Sequence, residues 1–107
     1  MRYGIMIIYN VTISVEKDVA TEWLCWMKEE HIPEVMNSGC FISAKINKVI
    51  ALDNKEETYA IAYNCINQMT LDKYNQNHAP ALQKKYLDLY GSTTFIFRTV
   101  MKRIKKF

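Results

Sequence analysis

Proline and histidine are scarce, with two of each in 107 residues. All four fall in two tripeptides, His31-Ile32-Pro33 and His78-Ala79-Pro80, one in each half of the chain. Glycine is also sparse, at three residues, and 23% of the chain is charged against 50% hydrophobic. That balance excludes low-complexity and disordered classes and fits an ordinary globular chain. Cysteine is odd in number: Cys25, Cys40 and Cys65 make no C-x-x-C pair and read as reduced, partly buried thiols of a cytoplasmic protein. No apolar run approaches membrane-spanning length. The segment from Met1 to Val15 is apolar but carries Asn10, Thr12 and Ser14 and no small-residue cleavage site, which argues against a signal peptide. An excess of one charge is equally weak. The formal net charge is +3, and much of it sits in Lys102, Arg103, Lys105 and Lys106, read as a solvated strand exit.

What the chain does have is clear periodicity. Ile7, Tyr9, Val11, Ile13 and Val15 alternate with Ile8, Asn10, Thr12 and Ser14, a strand signal. Asp18 is placed as the N-cap of a helix with the stripe Leu24, Met27, His31 and Val35, which Asn37, Ser38 and Gly39 close. A strand over Phe41–Ile50, a turn at Asp53-Asn54-Lys55 and a strand over Thr58–Cys65 follow. Thr70 is placed as the cap of a second helix with the stripe Leu71, Tyr74, His78, Leu82, Tyr86 and Leu89. Gly91 closes it in the left-handed conformation. The last strand is Thr93–Met101, with Phe95 and Phe97 on one face and Ile96, Arg98 and Val100 on the other.

The order βαββαβ, with no linker, predicts one α+β domain over residues 1–107. It is the ferredoxin-like arrangement: a four-stranded antiparallel sheet, strands one and three central, both helices on one face. The twin tripeptides then mark two related halves. Each proline removes a helical backbone bond and disfavours helical angles at the residue before it, Ile32 or Ala79. Each helix is therefore expected to kink, or to stop and restart.

Both histidines continue apolar stripes, so both imidazoles are expected to face the sheet. Two readings stay open. In one, each imidazole satisfies a carbonyl freed by the broken turn and is structural. In the other, His31 and His78 are catalytic partners in a ligand site lined by Tyr9, Trp23, Tyr59 and Tyr63, moving protons on an enolisable or phenolic compound. No metal is implied, because two histidines with acids such as Glu30 or Glu34 lack a ligand spacing. No cofactor is implied either. The opposite sheet face is expected to carry Asn10, Thr12, Asn64 and Arg98 among apolar residues and to pair with a second copy.

The segments Met6–Thr12 (MIIYNVT), Trp23–Val35 (WLCWMKEEHIPEV), His78–Leu82 (HAPAL) and Phe97–Thr99 (FRT) resemble the family called domain of unknown function 4286. The resemblance spans nearly the full chain. It implies a bacterial, cytosolic protein without established activity, often starting at the position of Met6, and supplies no catalytic residues. In shape the chain is also similar to dimeric α/β-barrel proteins, a fold-level analogy. The leading expectation is a homodimeric small-molecule-binding protein or cofactor-free enzyme. The alternative is an assembly module with structural histidines. An RNA-recognition module is disfavoured, because Glu56–Tyr63 (EETYAIAY) puts two acids where positive charge is needed.

Overall fold

Strands and broken helices alternate along the chain in the computed structural model, which describes residues 6–50 and 55–107. Strand β1 (Ile7–Glu16) leads into α1 (Lys17–Trp26), a wide π turn (Met27–His31) and α2 (Ile32–Asn37). Strands β2 (Ser43–Lys48) and β3 (Glu56–Cys65) follow, then α3 (Gln68–Asn77), α4 (Ala79–Tyr90) and β4 (Thr94–Lys102). The sheet is antiparallel in the order β2-β3-β1-β4, so β1 and β3 are central as expected. This is the ferredoxin-like α+β arrangement. Asp53 and Asn54 of the expected turn lie outside the described residues.

The alternation in β1 and β3 has a direct physical outcome. Ile7, Tyr9, Ile13 and Val15, with Tyr59, Ile61, Tyr63 and Cys65, are buried under the helices. Ala20, Trp23, Met27 and Val35 cover them from the first helical layer, and Leu71, Tyr74, Ala79, Tyr86 and Tyr90 from the second. Burying a side chain such as Met27, Ile61 or Leu71 contributes about 1.5–3 kcal/mol each.

The two His-x-Pro elements are not equivalent. In the first, the helix continues: Ile32 keeps helical angles (φ −62°, ψ −43°), against the expectation that proline would displace it. The turn before it widens instead, so that the Ile32 N–H reaches the Met27 carbonyl five residues back. A π turn makes room for the proline ring without ending the helix. In the second, His78 leaves helical geometry (φ −123°), α3 stops and α4 restarts with Pro80 in its first turn. That break changes the helical phase. Leu89, expected in the stripe, is 54% exposed, and Tyr90 is buried in its place.

The caps also differ from expectation. Glu16, not Asp18, occupies the first cap, with no side-chain bond. Asn67 caps α3, its Oδ1 accepting from the Thr70 N–H at 2.8 Å, and Thr70 is inside the helix. The left-handed glycine is Gly39 (φ 76°), while Gly91 stays right-handed (φ −61°).

Register corrects the assignment of faces on β4. Val11 pairs with Arg98, Tyr9 with Val100 and Ile13 with Ile96, and directly paired residues of antiparallel strands share a face. Arg98 therefore lies on the helix side, not with Asn10, Thr12 and Asn64. The open face carries those three residues with Ala60, Ala62, Phe95 and Phe97.

Candidate functional site

Between the helices and the sheet lies a cavity that opens beside the edge strand β4. Tyr9 enters it from β1, Tyr63 from β3, His31 from the end of the π turn, Tyr74 from α3, Gln83 and Tyr86 from α4, and Arg98 from β4. Its free volume is about 40 Å³, room for a few waters.

The polar groups are fixed by strand register and tight packing. Arg98 Nε donates to Tyr9 Oη at 3.1 Å. Trp23 Nε1 donates to Tyr86 Oη at 2.9 Å, and Tyr86 Oη donates onward to Thr94 Oγ1 at 2.8 Å. Thr94 Oγ1 in turn donates to the Tyr90 carbonyl at 2.7 Å. This chain ties α1, α4 and β4 together beside the cavity. Burial pushes the Tyr86 hydroxyl up from its ordinary pKa, against the lowering effect of Thr94 and Trp23. Burial likewise pushes up Tyr63, reinforced by Tyr74 and Tyr9, and pushes up Tyr74, reinforced by Tyr9. These phenols are proton holders rather than bases at neutral pH.

His31 is the exceptional group. Its ring stacks on Trp26 at 5.1 Å and meets Tyr86 edge-on at 5.5 Å. Burial lowers its pKa to about 4. Glu34 opposes that shift, and Lys85 and Arg98 add to it. The imidazole is therefore neutral at neutral pH. Its Nδ1 is buried and has no hydrogen-bond partner among the described residues. Leaving such an atom unpaired costs about 1–3 kcal/mol.

The other expected site residues are spread more widely. His78 stacks on Tyr74 at 6.2 Å and lines a separate surface groove with Glu34, Asn37 and Ser38. The two histidines do not meet in one pocket. Neither ring bonds a carbonyl freed by its proline among the described residues. Trp23 and Tyr59 meet at a 38° tilt, ring centroids 5.1 Å apart, away from the cavity lining. Tyr59 instead donates to Glu57 at 2.7 Å, and its pKa is pushed up to about 12 by burial and that carboxylate. On the open face, Asn10 donates to Thr12 at 3.1 Å and Asn64 to Ser43 at 2.9 Å. Gln83 carried no sequence signal. Tyr74 and Tyr86 stood in the helical stripe as core residues, and only the fold turns them toward a cavity.

Among the described residues, no three His, Cys, Asp or Glu side chains come together as a metal site. None of the described helices is long and apolar enough to cross a membrane.

Solved structures share this fold at low sequence identity. A dimeric ferredoxin-like protein from an uncultured marine organism matches with a TM-score of 0.76 at 14% identity, covering 97% of this chain and 100% of its own. A Bacillus cereus protein carrying the name of an antibiotic biosynthesis monooxygenase matches at 0.68 and 12% identity, covering 96% and 97%. An ethyl tert-butyl ether D (EthD) family protein from Bacillus halodurans matches at 0.70 and 8% identity, covering 92% and 99%. At these identities the likeness concerns the fold. No curated protein matches the chain in sequence. The segments quoted above carry a specific signal all the same: residues 6–104 match the domain of unknown function DUF4286, and the chain belongs to that family.

Proposed function

We propose that the protein is a homodimeric small-molecule-binding protein, with one pocket per protomer between helices and sheet and the equipment for cofactor-free acid–base chemistry. The observation that carries this reading is the cavity that holds a buried, neutral His31 with an unpaired Nδ1 beside Tyr9 and Arg98. A neutral imidazole has a free lone pair to accept a proton, and its burial makes it a weaker base than free histidine.

The open sheet face supports dimerisation. Phe95 and Phe97 are 74% and 64% exposed there, next to the small Ala60 and Ala62. Two such faces in a two-fold pair bury the phenylalanines against the other copy. The dimeric ferredoxin-like neighbour supports this arrangement. The free thiols Cys25, Cys40 and Cys65 support a reducing, cytoplasmic setting.

Native mass spectrometry of protein purified from its host tests both parts. The expected spectrum is a dimer carrying a retained small mass that is lost on denaturation. A bare monomer would exclude the reading. A bare dimer would favour the assembly-module alternative, which draws on the small free volume of the cavity.

A further inference from the structure

The cavity between helices and sheet is rich in hydrogen-bond donors and poor in acceptors. The Tyr9 ring lies 5.9 Å from Tyr63 and 6.1 Å from Tyr74, centroid to centroid. No hydrogen bond joins the Tyr63 or Tyr74 hydroxyl to another described residue. Yet neither oxygen is sealed off in the way His31 Nδ1 is. Both side chains are hidden from bulk solvent, at 3% and 4% exposed, so the open surface of their hydroxyls faces the cavity that both line. Tyr9 Oη accepts from Arg98 Nε and leaves its own O–H without an acceptor. Burial raises the pKa of Tyr63 and Tyr74, so both keep the proton that they can donate.

The charge is one-sided as well. Arg98 lines the cavity, and no Asp or Glu does. Ion pairs among the described residues are Lys48–Glu57, Lys84–Asp88 and Lys85–Glu34, so no carboxylate there neutralises Arg98. Its positive field reaches the Tyr74 and Tyr86 hydroxyls, where it works against the effect of burial. Unmatched O–H donors beside a cation suit an anion, because a charge-assisted hydrogen bond is roughly twice as strong as a neutral one. Water alone pairs the hydroxyls without balancing the charge. The free volume of about 40 Å³ sets the size: it admits an ion as small as chloride or formate and excludes rings.

We propose that the cavity binds a small monovalent anion, no bulkier than formate, with Arg98 supplying the charge and the Tyr9, Tyr63 and Tyr74 hydroxyls donating to it. This deepens the pocket reading above, rests on it, and gives the ligand a size and a charge. Tyr9 has a second part, because its bond to Arg98 Nε positions the guanidinium.

Sodium formate and its neutral isostere formamide are the probes, titrated into the full-length protein at constant ionic strength and followed by the tyrosine ring resonances. Formate is expected to shift the Tyr63 and Tyr74 signals to saturation and to leave that of Tyr59, outside the cavity lining, in place. It is expected to bind more tightly than formamide by about tenfold or more. Arg98→Gln is expected to erase the difference. Arg98 is an exposed residue, and an unchanged melting temperature confirms that this variant folds. Tyr63→Phe removes a hydroxyl without a protein partner, so it is expected to weaken formate binding while the melting temperature holds. Equal binding of the two probes at Tyr63 and Tyr74 would overturn anion selection and leave the pocket standing. No saturable shift with either probe would overturn the selection and the pocket together. Equal shifts with sulfate, too bulky for the free volume, would mark a general salt effect and overturn the site.

Discussion

Arg98 and Tyr9 hold each other across neighbouring strands, guanidinium Nε to phenol Oη at 3.1 Å, on the helix side of the sheet. That one contact places the guanidinium in the cavity lining rather than on the open face. It separates two surfaces: an open face of small and phenylalanine residues, proposed above to meet a second copy, and an aromatic cavity that Arg98 lines.

Replacing Tyr86 by phenylalanine removes the acceptor of the buried Trp23 indole N–H and the donor to Thr94. The indole then stays buried and unpaired. The expected loss is about 1–3 kcal/mol, read as a lower midpoint in urea unfolding with an unchanged slope.

Stability is expected to depend on pH through His31. Its folded pKa, about 4, lies below the unfolded value near 6.5. Above about pH 6.5 the ring is neutral in both states and contributes no slope. As pH falls from there toward 4, the unfolded chain takes up the proton first and the native state loses stability. The total loss is on the order of 2–3 kcal/mol, complete near the folded pKa. Urea midpoints across this range check it, and His31→Phe should lose this contribution to the slope.

Phe97→Glu places a charge on the open face, where the side chain is 64% exposed. The expected result is a monomer by light scattering at micromolar concentration, with the protomer still folded by circular dichroism. A persistent dimer would exclude pairing through this face.

The cap of α3 gives a sharper local test. Asn67→Ala removes the side chain that accepts from the Thr70 N–H and is expected to cost about 1 kcal/mol. Thr70→Ala leaves that backbone bond intact and should cost less. Thermal unfolding of the two variants ranks them.

Much of this molecule is legible along the chain. The alternation from Ile7 to Val15 and from Tyr59 to Cys65 is dictated by the two-residue period of a strand, and both segments bury the faces the pattern marks. The tripeptide at His78 breaks its helix for the reason proline always supplies. At His31 the same pattern misleads, because a helix has a second way to admit proline. Widening one turn keeps Ile32 helical, and local sequence does not choose between a π turn and a stop. The cap of α3 was similarly misplaced, since Asn67 and Thr70 are both cap formers and only the course of the chain after β3 selects one.

The sequence by itself determined the βαββαβ order, the buried faces of the central strands and the kinship to the family, because periodicity is a local property of covalent geometry. Tertiary structure alone decided the site. β4 is apolar on both faces, so its alternation separates Phe95 and Phe97 from Ile96 and Arg98 without saying which pair meets the helices. The register against β1 settles that by pairing Arg98 with Val11. The same long-range geometry sends His31 into the cavity and His78 out to a groove, a distinction that two nearly identical tripeptides could not encode.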